Sequence, residues 1–131
     1  MTIYIIAALA LWLAQTFYAA SYKTVFAPDA MSAVQDHMKG KDDAVALSLH
    51  GARAQRAHQN LLESMLVFLP LALLLEMRGD VPALGTQGAL LFLVGRALYV
   101  PAYHFAFYGL RTTVWTVSLV GLCMMVYALL A

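Results

Sequence analysis

The chain reads as an all-α integral-membrane protein, a four-helix bundle built as one domain over residues 1–131. Three observations predict this. The sequence is 63% hydrophobic and only 11% charged, whereas soluble domains carry about 45–50% apolar and about 25% charged residues. It divides into four apolar runs, each near or above the ~20 residues that cross a bilayer as helix. Ionisable residues sit at the mouth and inside of the second run, Arg53, Arg56 and Glu63, and in the middle of the third, Arg96, and each costs about 2.5–3.5 kcal/mol to insert at depth unless partnered.

The same composition excludes several classes. A net charge of +1 implies no strongly charged partner, and no basic run interleaved with aromatics marks nucleic-acid binding. The single cysteine, Cys123, rules out an intrachain disulfide and says nothing of compartment. No Cys/His spacing suits zinc and no glycine-rich phosphate loop is present, so no metal is expected.

The first run, about residues 3–20, reads as a retained membrane helix, because Met1-Thr2-Ile3-Tyr4 lacks the positive n-region of a cleaved signal peptide. Tyr18 and Tyr22 near its end suit the membrane interface. A hydrophilic loop follows over about residues 21–51. Asp42 and Asp43 in its tail are placed to open the next helix, where the macrodipole is positive. The second helix is expected over 44–77, longer than a bilayer needs, with a kink at Pro70. Arg78-Gly79-Asp80 is a turn. The third helix covers about 81–107, with Pro82 at its start, where a missing N–H is harmless. Gly109-Leu110-Arg111-Thr112 reads as a turn, and the fourth helix as 113–130. Lys23, Lys39, Lys41, Arg53, Arg56 and Arg111 border loops one and three, while loop two has only Arg78. Loops one and three are therefore expected in the cytoplasm and both termini on the other side.

Helical spacing brings the polar residues together. At about 100° per residue, Arg53, Arg56, Asn60 and Glu63 share an arc of about 80° on the second helix, with Gln59 at its edge. Arg96, Tyr99 and Tyr103 share a face of the third. Counted from the mouth at about 1.5 Å per residue, Glu63 and Arg96 both lie near 15 Å deep, so an ion pair between them is expected. Arg111 closes the mouth, and Trp115 and Ser118 share its face. Four arginines (53, 56, 96 and 111) against one buried acid, among tyrosine hydroxyls, suit an anionic ligand. Arg53 reads equally as a solvated or headgroup-facing arginine. His50, His58 and His104 read as solvated helix-end histidines before they read as bases, and Cys123, Met124 and Met125 as packing residues.

The stretch Arg53-Ala-Gln-Arg56-Ala-His-Gln-Asn60-Leu-Leu-Glu63, with Gly95-Arg96-Ala-Leu-Tyr99-Val-Pro-Ala-Tyr103 and Gly109-Leu-Arg111-Thr112, closely resembles the MAPEG family (membrane-associated proteins in eicosanoid and glutathione metabolism), in its microsomal glutathione transferase-like branch. The resemblance covers the whole chain. It implies a left-handed four-helix bundle assembling as a homotrimer, with glutathione as co-substrate bound between subunits near the cytoplasmic side. It implies transferase or peroxidase chemistry of the detoxification kind. Carried over by position, it makes Arg56, Asn60, Glu63, Tyr103, Arg111 and Thr112 glutathione-binding, with Arg111 the catalytic arginine that stabilises the thiolate, and Tyr99, on the same face of the third helix, is a further candidate for glutathione binding. Gln59 stands where several members have another arginine, and Tyr99 where some eicosanoid enzymes have histidine.

Two functions therefore stand side by side. One is a membrane enzyme that activates a thiol against a lipophilic electrophile or hydroperoxide. The other is a non-catalytic scaffold or lipid-binding protein of the same fold. A transporter fits less well, because the far half of every helix is nearly free of polar groups.

Overall fold

The computed structural model describes residues 1–26, 48–105 and 108–131. Among these residues there are four helices and no strand: α1 (Thr2–Thr24), α2 (Leu49–Met77), α3 (Ala83–His104) and α4 (Tyr108–Leu130). All four are long and apolar enough to cross a membrane, and the protein is a multi-pass integral membrane four-helix bundle.

The boundaries differ from the sequence reading where local hydrogen bonding decides them. Helix α1 runs on past Ala20, and Val25 N–H still bonds back to Ser21 O at 2.8 Å. Helix α2 starts at Leu49 because Ser48 turns out of the helix and caps it, its Oγ accepting Gly51 N–H at 3.1 Å. The expected start at Ala44, the capping role of Asp42 and Asp43 and most of the first loop lie outside the described residues. Helix α3 begins at Ala83 behind Pro82 and ends at His104. The clearest correction concerns Gly109–Thr112, which form part of the first turns of α4 and are not a turn between helices. Gly109 sits there with an ordinary helical φ, and the only positive-φ glycine among the described residues is Gly79, at φ +77° in the α2–α3 turn. Helix α2 is continuous through Pro70, although Pro70 has no N–H to offer the carbonyl of Leu66.

Helices α2 and α3 form the centre. Helix α1 packs on α2 and touches α3, α4 packs on α3 and α2, and among the described residues α1 and α4 do not meet. The core is anchored by Phe68 of α2 and Phe92 of α3, stacked at 4.4 Å between ring centroids and 7° from parallel, with Leu61, Leu75 and Met125 packed around them. The outward faces carry Ile3, Phe17, Leu66, Leu73 and Leu130, all exposed. Hydrocarbon solvates such residues, so in a bilayer close packing holds helices together more than apolar burial does.

That close packing is most developed between α3 and α4. A Cβ on Gly88 would fall 2.6 Å from Gly121 O, and a Cβ on Gly121 would fall 2.6 Å from Gly88 O and 2.7 Å from Phe92 N. A Cβ on Gly95 would lie 2.9 Å from Val114 O and would also strike the Ser118 hydroxyl. The two backbones approach as closely as they do only because these positions lack side chains. At the end away from the polar residues, Arg78 Nη1 donates to Ala128 O and Leu129 O at 2.9 and 3.1 Å, closing off the last carbonyls of α4. Glu76 there accepts Thr2 Oγ1 at 2.8 Å and pairs with the Met1 amino group at 2.8 Å.

Gly88→Ala should lower stability by about 1–3 kcal/mol, since the methyl meets backbone that cannot step aside. Gly109→Ala, whose Cβ would meet nothing within 4 Å, should be neutral or stabilise by up to about 1 kcal/mol. Thermal unfolding in detergent measures both, and equal effects would contradict the glycine seam.

Candidate functional site

The polar residues converge at the end of the bundle where α2 starts, α3 ends and α4 starts. The deepest is Arg96, 4% exposed. A guanidinium taken out of water needs acceptors and cannot be neutralised by losing its proton. Its Nη1 donates to Asn60 Oδ1, and its charge lies 5.5 Å from the Phe92 ring centre and 5.8 Å from that of Tyr99, within cation–π range. Its Nε has no hydrogen-bond partner.

The ion pair expected between Arg96 and Glu63 is not formed. Glu63 is exposed and accepts Gln59 Nε2 at 3.2 Å, one turn back along the same helix. The reason lies in the helix geometry. Asn60 and Glu63 are three residues apart and so about 60° apart around α2. Asn60 takes the angle that meets α3, while Glu63 projects past it.

Two joined hollows result. The upper, about 230 Å³, is lined by Asn60, Tyr99, Arg111, Thr112 and Trp115. The lower, about 270 Å³, is lined by Asn60, Glu63, Ser64, Arg96, Trp115, Leu119 and Leu122. Asn60 and Trp115 border both, so the hollows form one cleft bounded by α2, α3 and α4. Its upper part is polar around Arg111. Its lower part sets Glu63, Ser64 and Arg96 against leucines. Trp115 and Leu119 are 40% and 42% exposed, so the cleft is open along the side of the bundle.

Arg111 projects from the start of α4, with its guanidinium carbon 4.8 Å from the centre of the Tyr103 ring. Tyr103 lies 5.5 Å from the Tyr99 ring and packs on a small cluster of Ala57, Tyr99, Ala102 and Val114. The ring face of Tyr103 favours a cation at this place. The upper hollow is thus lined by a positively charged side chain, the amide side chain of Asn60 and the hydroxyl-bearing Tyr99 and Thr112.

The sequence-predicted residues divide between places. Asn60, Tyr99, Arg111 and Thr112 line the upper hollow, Glu63 lines the lower, and Tyr103 supports Arg111. Arg56 stands apart: it is exposed and lines a separate hollow with Ala52, Gln55 and Gln59. Arg53 is engaged elsewhere, donating to His104 O at 3.2 Å. His104 hydrogen-bonds Tyr18 and His58 lies 6.4 Å from the Trp12 ring, so neither points at the cleft through these contacts. Ser118 shares the helical face of Arg111 but is fully buried, donating to Val114 O at 3.0 Å beneath Gly95. Trp115, which joins the two hollows, and Ser64, in the lower one, were not singled out as ligand-facing residues. The spacing of Trp115 four residues after Arg111 was the available signal. Among the described residues no three His, Cys, Asp or Glu side chains converge as a metal site would require.

A family model described as the MAPEG family matches residues 1–131, the whole chain. No individual curated protein and no solved structure matches the chain.

Asn60→Leu should cost about 1–3 kcal/mol or more, because it strands a buried guanidinium. Adding Arg96→Met should recover much of that loss, since removing both partners leaves no buried charge unpaired. A double-mutant cycle on detergent unfolding measures the coupling, and additive losses would show that the Arg96–Asn60 contact does not carry it.

Proposed function

The chain belongs to the MAPEG family, and from that membership and the shape of the cleft we propose that it is a membrane glutathione transferase or peroxidase. Glutathione is the co-substrate and Arg111 the group that activates its thiol. The observation that carries this reading is the Arg111 guanidinium resting on Tyr103 at the head of a cleft shared with Asn60, Tyr99 and Thr112.

The chemistry follows from thiol ionisation. An unperturbed thiol titrates near about 8.5 and is mostly protonated at neutral pH. A guanidinium within reach of the sulfur stabilises the thiolate, which is the nucleophile, and lowers that pKa. In the transferase reaction the thiolate sulfur forms a bond to an electrophilic carbon, and the leaving group departs with the bonding pair. In the peroxidase reaction it takes the distal oxygen of a hydroperoxide, releasing an alcohol. A second glutathione then displaces water to give the disulfide. A lipophilic partner reaches the sulfur through the lateral opening beside Trp115 and Leu119.

The reading includes a homotrimer with glutathione bound near a neighbouring subunit. In its favour, Gln55, Arg56, Gln59 and Glu63 are all exposed on α2, and hydrocarbon is a costly environment for such groups. It also includes an orientation with this polar end in the cytoplasm, supported by Arg53, Arg56 and Arg111 at that end against Arg78 at the other.

The lower hollow supports a second reading, a non-catalytic lipid-binding member of the fold, because its leucine wall suits an acyl chain as well as a substrate. Glutathione titration in detergent separates the two. Saturable binding with thiolate absorbance at neutral pH supports the enzyme, and lipid binding with no response to glutathione supports the alternative. Arg111→Ala should raise the midpoint of thiolate formation by about 1–3 pH units, toward that of free thiol. The thiolate present below the free-thiol pKa in the native protein is then lost. An unchanged midpoint would remove Arg111 from the mechanism.

A further inference from the structure

Arg111 does not hold its position by itself. One of its contacts is the Tyr103 ring, and Tyr103 belongs to the last turn of α3. Pro101 opens the turn, and with no N–H it leaves the carbonyl of Ala97 without its helical donor. The segment 101–104 is therefore coupled less firmly to the rest of α3 by its own ladder than an unbroken helix would be.

Beside the packing of Tyr103 on Ala57 and Val114, further restraint comes from α1 and α2. Tyr18 of α1 places its hydroxyl 2.7 Å from His104 Nδ1. Arg53 of α2 donates to the backbone carbonyl of His104 at 3.2 Å. The His50 ring of α2 lies over that of His104, with centroids 4.8 Å apart and 31° between planes. Tyr22 packs edge-on against Tyr18 at 5.3 Å. His104 is thus held by its ring and by its carbonyl, from two helices, on the residue directly after Tyr103. None of Tyr18, His50, Arg53 or His104 lines the cleft.

We propose that Tyr18, Arg53 and His104 form a latch that positions the catalytic arginine at a distance: by fixing the last turn of α3 they fix the Tyr103 ring, and with it the Arg111 guanidinium. The latch rests on the thiol-activating reading of Arg111 given above. It gives Arg53 a positioning role in place of ligand contact, and it makes α1, which among the described residues does not meet α4, a determinant of where the α4 arginine sits. The three residues touch neither thiol nor electrophile, so they are positioning residues and not catalytic ones.

The test uses the full-length protein in detergent with glutathione as probe. Tyr18→Phe removes only a hydroxyl, and Arg53→Met removes the donor together with its charge, so Tyr18→Phe is the variant that leaves the charge at the mouth unchanged. Each should raise the pH midpoint of thiolate formation and lower kcat at neutral pH by about tenfold, the scale of a small misplacement of a reacting group. KM for glutathione should change by less than about threefold, because the binding groups remain. Arg53→Lys, which can still donate to the carbonyl, should restore most of the loss. Unchanged midpoints in folded Tyr18→Phe and Arg53→Met proteins would overturn the latch. So would losses confined to KM or to thermal stability, or no rescue by lysine. If the native protein forms no thiolate at all, the thiol-activating reading fails by itself. Amide hydrogen exchange then decides the latch: the two variants should speed exchange across residues 102–105 and 108–115, and unchanged exchange there would overturn it.

Discussion

A guanidinium buried within a membrane-spanning bundle must be given an acceptor before anything around it can be arranged, and Arg96 imposes that demand here. Its hydrogen bond to Asn60 sets the rotation of α2 against α3. Its contacts with Phe92 and Tyr99 tie it to the core below and to the aromatic layer above. Once Asn60 is committed to Arg96, the neighbouring turns of α2 have their directions fixed. Ala57 and Leu61 go into the bundle, and Gln59 and Glu63 go outward. The cleft is the space left beside this pairing, and Asn60 borders both of its halves because it stands at the junction.

Much of this was legible in the residues themselves. Apolar run lengths located four helices, and the spacing of Asn60, Tyr99, Tyr103 and Arg111 placed them at one end of the bundle. What periodicity could not resolve was a rotation of 60°. Asn60 and Glu63 both fit the same arc, and charge favoured Glu63 as the partner of Arg96. The pairing was decided by which of them packing turned toward α3. The first turns of α4 were hidden for a different reason. Gly109 is a common turn residue, but a helix that begins at the membrane edge tolerates it, since its Cβ position is open and packing of the later turns on α3 supplies the order. The role of Arg53 was illegible because its acceptor is a backbone carbonyl, which leaves no mark in the side-chain sequence.

Depth separates the roles of the polar groups. Arg96 donates to the Asn60 side-chain oxygen, and through that bond the pair acts as structure while Asn60 also borders the cleft. Arg111 and Tyr103, nearer the helix ends, meet through a ring contact, and Arg111 lines the upper hollow. Such an order suits a thiol reagent of the aqueous phase meeting a partner dissolved in the bilayer. Charge is met first at the mouth, and the apolar wall of Leu119 and Leu122 comes after it.

The glycine seam between α3 and α4 also bears on the cleft, although no glycine lines it. Drawing α4 tightly onto α3 fixes how far Arg111, Trp115 and Leu119 stand from α2, so the width of the opening is set by backbone contacts on the other side of the wall. A residue that never meets a ligand thereby limits the girth of what can enter. Related chains could come to accept bulkier or slimmer molecules by altering the seam alone, with every lining side chain retained.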